Sequence, residues 1–457
     1  MQQLNKDILK LAIPSILASI TVPLVGMVDI AVAGHLGDGN AAPIIGGISI
    51  GTMLFDLLYW NFGFLRVGTG GMTAQAYGAG NTRECGRILA RGVGFALLIA
   101  LGILLIQWPF AKAAFLVVEC SDTVRDLALQ YFFIRIWAAP ATLSLFAFKG
   151  WFIGMQDTVS SMATDLIVNI ANIFFSIFLT LGIPGTGFDG IGFAGIALGT
   201  LLAQYSGLAY AVVRVATKYS TVVKGVGIAE SLRGGELRKF MTLNRDLFIR
   251  SVCFIVIYVG YTTISARFGD MLLATGSIMM KLLLLFSYFT DGFAYAGEAL
   301  TGKFIGMQDR TMTLRTTKYV FAWSMAISIL FIFIYFFAGV PILRIMTSDE
   351  AVIESCRQFF VWLLPMPVIG CAAFTWDGIY AGATAARQMR DCNSAAVVAF
   401  FAVWIVGSLL HPGAYDAASM HILLGAYFAH LLARSVWLTV TFRDAILTRP
   451  FSRDTAA

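Results

Sequence analysis

Charge is scarce in this chain, and its scarcity excludes most soluble folds. Charged residues make up 13% of the 457 residues, against about 25% in a soluble globular domain. The sequence has only 4 histidines and 6 cysteines, and they show no spacing typical of a metal or dithiol centre. The nucleotide-binding motif G-x-x-x-x-G-K-[ST] is also missing, which argues against coupling to ATP. We expect a protein that is not an enzyme and needs no cofactor.

Long hydrophobic stretches are what the chain has instead. Hydrophobic residues make up 58% of the sequence, and the mean hydropathy is +0.79. A helix needs about 20 apolar residues to cross a bilayer, and about twelve stretches reach that length. The sequence therefore predicts an all-α polytopic membrane protein built from two six-helix bundles. The predicted spans are 8–33, 41–65, 88–108, 126–148, 160–182, 191–213, 246–267, 271–299, 319–342, 357–381, 393–411 and 418–442.

The two halves of the chain repeat each other. The sequence Gln-Tyr-Phe at 130–132 returns as Gln-Phe-Phe at 358–360, and Gly150 returns as Gly378, so both separations are 228 (358 − 130 and 378 − 150). Duplication of a hydrophobic chain is typical of transporters, in which two similar bundles move about a site between them. Because each half has an even number of predicted spans, both halves enter the membrane with the same orientation.

The polar sequence between the halves sets the predicted domain boundaries. Residues 1–214 form the N-terminal six-helix bundle, and 215–245 form a glycine-containing basic linker on the cytoplasmic side. Residues 246–457 form the C-terminal six-helix bundle with a short cytoplasmic tail. Glycine-rich polar segments of this kind are typical of surface connections.

Lysine and arginine are concentrated in alternate loops, which predicts the orientation in the membrane. The connection around 83–91 is basic, whereas that around 349–354 is acidic. Basic loops stay on the cytoplasmic side, so both termini are predicted there, in the cytoplasmic (inner) membrane. The net charge of +6 is then a topology signal. We expect membrane lipid and small amphipathic molecules as partners, no nucleic acid, and a monomer.

One carboxylate lies deep in the first predicted span, and a polar stripe on the fifth can face it. An ionised Asp29 at the centre of a span costs about 2.5–3.5 kcal/mol, so such residues are usually functional. Asn169, Asn172 and Ser176 are three and four residues apart and share one helix face, and Thr200 on the sixth span can join them. We predict a cation-coupling site here. Placement of Asp29 near the headgroups, and helix-to-helix packing by the stripe, are the alternatives.

The second half has its own candidate residues within predicted spans. Asp291 and Glu298 are seven residues apart on the eighth span and so share a face, and Asp377 lies on the tenth. Lys281 is the one base that we expect deep inside a span, where pairing with an acid would make it structural. These four residues are second-half candidates for coupling or for packing.

Several runs resemble the multidrug and toxic compound extrusion (MATE) transporters, over essentially the whole chain. They are 28–37 (VDIAVAGHLG), 64–78 (FLRVGTGGMTAQAYG) and 291–300 (DGFAYAGEAL), and the last two, with 376–379 (WDGI), are similar to the DinF-like branch. The resemblance implies two six-helix bundles in a V shape, a central cavity and alternating access. It also implies export of organic cations and other amphipathic compounds in exchange for H⁺ or Na⁺.

The resemblance also implies roles for individual residues. Asp29 corresponds to the first-helix acid of the family's N-terminal cation site, with Asn172, Ser176 and Thr200 at its partner positions. Asp377 matches the tenth-helix acid of the NorM-like branch. The family often has an aspartate where Ser176 stands, and the NorM-like acid on the seventh helix is missing. A carboxylate without a second acid suits a proton better than Na⁺, so we favour H⁺ at Asp29, with Na⁺ at Asp29 or Asp377 as the alternative.

The predicted function is a secondary active efflux antiporter. A lipid-linked oligosaccharide flippase of the same superfamily is the alternative, and it would need a basic cavity for pyrophosphate. The scarcity of bases in the predicted spans argues against it. Asp56, Arg66 and Arg135, which lie in or near spans, are expected to form ion pairs that only support packing.

Overall fold

The computed structural model describes residues 2–34, 36, 42–116, 118, 120–182, 188–227, 231, 235–347, 349–411 and 416–451. Its elements in the first half are α1 (Gln2–Gly34), α2 (Ala42–Tyr59), α3 (Phe64–Gly78), α4 (Thr82–Ala114), α5 (Asp122–Arg135), α6 (Ala139–Gly154), α7 (Thr158–Leu181), α8 (Phe193–Lys218) and the short α9 (Ser220–Val223). Those in the second half are α10 (Gly235–Ser265), α11 (Asp270–Gly306), α12 (Arg310–Met346), α13 (Glu350–Gln358), α14 (Phe360–Leu363), α15 (Met366–Gly382), α16 (Ala386–Leu410) and α17 (Ala417–Leu447).

The lengths and composition of these helices confirm an all-α polytopic membrane protein. Within the described ranges, 10 helical segments are long and apolar enough to cross a membrane. A bent pair, Pro43–Asp56 with Asn61–Gly78, makes 11. The first helix has 33 residues and so also exceeds the length of a span.

Several predicted spans are interrupted in the structure. The second was expected over 41–65, but the chain passes through a 3-10 turn at Trp60–Gly63 and continues as α3 to Gly78. The glycines and Arg66 of α3 lower its hydropathy, which is why the hydrophobic pattern ended too early. The tenth span begins as α14 and restarts as α15. A proline lies in the first turn of α15, the part of a helix where proline is best tolerated.

The internal duplication is visible in backbone geometry as well as in sequence. Gln156 and Thr384, which are 228 residues apart, both have positive φ, at 62° and 53°. Asn81 and Asp309 have the same separation, and each caps a helix by accepting a hydrogen bond from the amide three residues later. The two halves therefore share the turns between their helices as well as the number of predicted spans.

Gly150 and Gly378, which are also 228 residues apart, each let two helices approach until their backbones are in contact. A Cβ at Gly150 on α6 would collide with the carbonyl oxygen of Arg66 on α3, and one at Gly378 on α15 would collide with that of Ala294 on α11. Glycine at these two positions therefore permits the close helix approach that is common in membrane bundles.

Contacts divide the chain into two compact units, and the boundaries between them lie inside α1 and α10. One unit contains Leu17–Lys239, and the other contains Met1–Ile16 with Phe240–Ala457. In the first unit the core surrounds Trp151, whose Nε1 donates to the carbonyl of Cys85 over 2.8 Å. In the second it includes Phe286 and Tyr335, whose hydroxyl donates to the carbonyl of Leu282 over 2.6 Å.

An ion-paired cap holds α7 at its first turn. Asp157 accepts hydrogen bonds from Lys218 Nζ at 2.6 Å, Tyr219 Oη at 2.8 Å and the Ser160 hydroxyl at 2.6 Å. Burial by itself would raise the pKa of Asp157, but these bonds outweigh it and hold the pKa below its usual value. The cap therefore ties the start of α7 to the end of α8 through a charged group outside the spans.

We predict that Asp157→Asn destabilises the protein at neutral pH and much less in acid. Asparagine is an equally good cap, but its NH₂ group replaces the Oδ2 that accepts from Lys218, Tyr219 and Ser160, so the change removes the charge together with these bonds. A carboxylate with a lowered pKa contributes stability that is complete above its unfolded pKa, about 3.9, and is lost as the pH falls through the folded value. We expect a loss of about 1–2 kcal/mol at pH 7. Thermal unfolding of the purified protein at pH 7 and pH 3 measures the difference.

Asp309→Asn is the matched control for that experiment. Asp309 caps α12 by accepting from the Met312 amide at 2.8 Å, and it has no ion pair with any residue in the described part of the chain. Its substitution should change the unfolding temperature equally little at both pH values. A pH-independent loss for Asp157→Asn would contradict the charged-cap interpretation.

We also predict that Gly378→Ala is strongly destabilising. The new methyl group would meet backbone rather than a movable side chain, so α11 and α15 must separate, at a cost of about 2 kcal/mol or more. Gly102→Ala is the control, because Gly102 lies within α4 with open space around its Cα. Alanine there should be neutral or stabilising by up to about 1 kcal/mol. Unfolding temperatures in detergent compare the two, and similar values would contradict the close-contact reading.

Candidate functional site

Close packing of α7 on α8 brings the first-half candidates together. On α8, a Cβ at Gly199 would lie 2.6 Å from the backbone nitrogen of Ser176, and one at Gly195 would lie 2.7 Å from the carbonyl carbon of Leu179. The two backbones meet at this distance only because both α8 positions are glycine. Thr200 follows Gly199 directly and is thereby placed against the polar face of α7.

Four of the predicted coupling residues form one buried polar cluster. Ser176 Oγ donates to Asp29 Oδ1 over 3.3 Å, and Asn172 Nδ2 donates to Thr200 Oγ1 over 2.9 Å. Asn172 also interacts with the Asp29 carboxylate. All four side chains are buried. The amide oxygen Asn172 Oδ1 has no hydrogen-bond partner in the described part of the chain, which leaves an acceptor beside the carboxylate.

Asn169, the fifth predicted residue, lies on the same helix face but contacts a different residue of α1. Its Nδ2 donates to Thr21 Oγ1 over 2.6 Å. This bond joins α7 to α1 about two turns from Asp29. Sequence reasoning missed Thr21, whose hydroxyl is one more polar group in a hydrophobic stretch. Asn169 therefore holds α1 against α7, whereas Ser176 and Asn172 contact the carboxylate and Thr200 holds Asn172.

A cation accompanies Asp29, which the sequence analysis did not expect. Arg135 at the end of α5 interacts electrostatically with both Asp29 and Asp56. Its Nη1 donates to the Tyr131 hydroxyl over 2.8 Å, and its guanidinium carbon lies 4.7 Å from the ring centre of Phe55. The expectation that Arg135 only supports packing was incomplete, because α1 lies within range of α5. A charged residue inside a predicted span was the signal that could have identified it.

This N-terminal cluster holds a buried carboxylate whose charge needs compensation. A buried carboxylate with hydroxyl, amide and guanidinium neighbours is stabilised as an anion by any cation that reaches it. A proton would instead neutralise the carboxylate, so protonation of Asp29 and its pairing with the cationic group of a ligand oppose each other. In the described residues, no group of three or more metal-ligating side chains is assembled.

The acid predicted for the second half, Asp377, is fixed between two arginines. Its Oδ2 accepts from Arg250 Nη2 at 2.8 Å and from Arg434 Nη2 at 2.5 Å. Both guanidinium groups also lie over the ring of Phe254, with carbon-to-centroid distances of 4.8 and 4.7 Å. A carboxylate with two guanidinium partners is a poor ligand for Na⁺ or H⁺, since both would have to displace an ion pair.

The other second-half candidates differ in how deeply their side chains are buried. Glu298 is fully buried on α11, and Asp291 is half-buried two turns away on the same helix. Lys281 is exposed on α11 and forms no ion pair with a described residue. The expectation that it is the only deep base was wrong. Arg434 is 1% exposed inside a span, and the sequence analysis had not considered it or Arg250.

Comparison with known proteins agrees with the duplicated fold. The MatE family model matches residues 14–178 and again 247–412, once in each half. The chain belongs to the MatE family. It is 32% identical to DNA damage-inducible protein F of Escherichia coli (strain K12) over 404 residues, which cover 87% of this chain and 84% of that protein. It is 22% identical to the probable multidrug resistance protein NorM of Photorhabdus laumondii, over 88% of this chain and 86% of that one.

Solved MATE structures share the fold of this family member at low sequence identity. A MATE transporter crystallised in the bent conformation superposes with a TM-score of 0.84 at 14% identity, and 97% of each chain is covered. A variant of the Vibrio cholerae MATE transporter VcmN gives 0.82 at 14% identity, covering 98% of this chain and 99% of the other. The resemblance expected from the sequence is confirmed.

We predict that Arg434→Gln destabilises the protein by about 3 kcal/mol. The change removes a charged hydrogen bond to Asp377, worth about 1.5–3 kcal/mol, and the contact of the guanidinium with the ring of Phe254, worth about 0.5–2 kcal/mol, while Arg250 still pairs with Asp377. The control is Arg344→Gln, because Arg344 is 63% exposed and pairs with Glu350 at 3.4 Å. Exposed pairs contribute about 0–1 kcal/mol. Equal unfolding temperatures for the two variants would show that the arginine–aspartate cluster contributes little.

Proposed function

We propose that this MatE-family protein is a secondary active antiporter that exports amphipathic, often cationic, compounds in exchange for H⁺ by alternating access. The observation that carries the proposal is the buried Asp29 with Ser176 and Asn172 beside it and Thr200 bonded to Asn172. A carboxylate that must be neutralised inside a hydrophobic bundle can bind a proton or a cationic ligand, but gains little from both at once. Mutually exclusive binding of this kind is the basis of exchange.

The antiport cycle follows from that competition. Protonation of Asp29 from the outside removes its charge and weakens its hold on a cationic ligand, which leaves outward. Release of the proton to the cytoplasm restores the carboxylate and prepares it for the next ligand. One-to-one exchange of H⁺ for a singly charged ligand moves no net charge, so the pH difference drives it, and each pH unit, about 1.4 kcal/mol, supports about a tenfold ligand gradient.

The cellular setting completes the proposal. We infer a monomer in the cytoplasmic (inner) membrane with both termini inside, because lysine and arginine are concentrated in the loops on that side. The relatives named multidrug resistance protein support efflux, and none of the inferred steps requires catalysis or a cofactor. Na⁺ coupling is less favoured, because the groups placed around Asp29 are one hydroxyl, one amide and a competing guanidinium.

We predict that Asp29→Asn abolishes proton-driven ethidium transport. The purified protein would be reconstituted in liposomes without Na⁺, with the membrane potential clamped, and a pH gradient imposed. Wild type should move ethidium against its gradient, whereas the variant, which cannot release a proton at residue 29, should lose at least about tenfold in rate, or 1.4 kcal/mol. The fluorescence of ethidium bound to trapped DNA reports the rate.

Asp165→Asn is the matched control in the same unit. Asp165 lies on α7 and pairs with Lys149 at 2.7 Å, apart from the polar cluster, so transport should stay within about twofold of wild type. A strict requirement for Na⁺, or full activity of Asp29→Asn, would refute proton coupling at Asp29.

A further inference from the structure

The arginine–aspartate cluster of the second unit has more positive than negative charge. Arg250 and Arg434 both donate to one oxygen of Asp377, so two cations share a single carboxylate and the three groups together carry +1. Taking an ion out of water costs several kcal/mol unless a partner compensates it. Such a surplus inside a membrane bundle favours the approach of an anion.

The hydrogen-bonding capacity of the cluster is also unsatisfied. Arg250 Nε, Arg434 Nε and Asp377 Oδ1 are buried and have no hydrogen-bond partner in the part of the chain that the structure describes. A guanidinium has five N–H donors in a planar fork, which matches the two oxygens of a carboxylate or phosphate. Both arginines therefore have donors left for a second anion, and the side chain of Arg434 is almost completely buried.

The cluster is accessible and has an apolar wall. Although Asp377 and Arg250 lie within spans, their side chains are 17% and 12% exposed. The rings of Phe254 and Phe374 lie beside the guanidinium of Arg434, with carbon-to-centroid distances of 4.7 and 5.8 Å. An entering molecule would thus meet cationic donors and aromatic surface together, which is the combination that an anionic amphiphile requires.

We propose that the C-terminal unit contains a binding site for the singly charged anionic group of an amphipathic ligand, held by Arg250 and Arg434 in competition with Asp377. This inference rests on the proposed transport of amphipathic compounds and adds anionic and zwitterionic ones to the substrate class. The ligand is either an exported carboxylate or the headgroup of an anionic phospholipid. Asp377 acts as the internal anion that occupies the arginines when the site is empty.

Because Asp377 competes with the ligand for the arginines, removal of its charge should strengthen ligand binding. A cluster that serves only in packing would not show this effect. The probe is 11-(dansylamino)undecanoic acid, with its methyl ester as the neutral match, and binding is measured by fluorescence in phosphatidylcholine nanodiscs. Wild type should bind the acid at least about tenfold more tightly than the ester. Arg250→Gln should weaken acid binding about tenfold, equivalent to 1.4 kcal/mol, and Asp377→Asn should strengthen it by a similar factor. Neither change should affect the ester.

An exposed arginine serves as the control, and two results would overturn the proposed anion site. Arg357→Gln is the control, because Arg357 is 56% exposed and pairs with Glu354 at 3.1 Å, and it should leave binding unchanged. Equal affinity of wild type for acid and ester would overturn the proposal, even if the variants fail to fold. Weaker acid binding in both Arg250→Gln and Asp377→Asn would assign the cluster to packing instead.

Two further arms identify the source of the anion and separate this site from the N-terminal one. Accumulation of the acid in proteoliposomes indicates a transported carboxylate, whereas displacement by phosphatidylglycerol without accumulation indicates a bound lipid; either supports the anion site. Binding is measured without any ion gradient, so it should be unchanged in Asp29→Asn. Failure of proton-driven ethidium transport would therefore leave this inference standing.

Discussion

An ionised side chain within a bilayer must find its partner inside the protein, and both candidate centres of this molecule follow from that constraint. Water and lipid offer no compensation at the depth of a spanning helix. Asp29 is accordingly surrounded by hydroxyl, amide and guanidinium groups from other helices, and Asp377 is held by two arginines. In each unit the charges determine which helices must pack together, and these contacts in turn position the remaining polar groups.

Close backbone approach is what makes those partnerships geometrically possible. Gly199 lets α8 approach the backbone of α7, and the hydroxyl of the next residue then reaches Asn172. In the other half, Gly378 rests on the backbone of α11, and Asp377 is its immediate neighbour in sequence. A glycine followed or preceded by a polar residue therefore serves two purposes at once. It removes the steric barrier between helices and fixes where the polar group lies.

The sequence predicted the architecture well and the charge pairing poorly, for a physical reason. Helix length, hydrophobicity and the 228-residue repeat are local or periodic properties, so the fold class could be read directly. The stripe of Asn172 and Ser176 was also predictable, because helical spacing places them on one face. Partners of buried charges depend on tertiary packing. Asp377 lies 127 residues from Arg250 and 57 from Arg434, and no periodicity of either helix indicates that they meet.

The two similar halves differ in the charge that they carry at a corresponding position. Lys149 and Asp377 are 228 residues apart, and each directly precedes the glycine at the close helix contact. The first pairs with an aspartate at 2.7 Å and the second with arginines at 2.5 and 2.8 Å. The same position in the fold thus carries opposite charge. Around Arg135 the N-terminal unit gathers two acids, whereas around Asp377 the C-terminal unit gathers two bases. Such a reversal changes the charge at this position without altering the close glycine contact beside it.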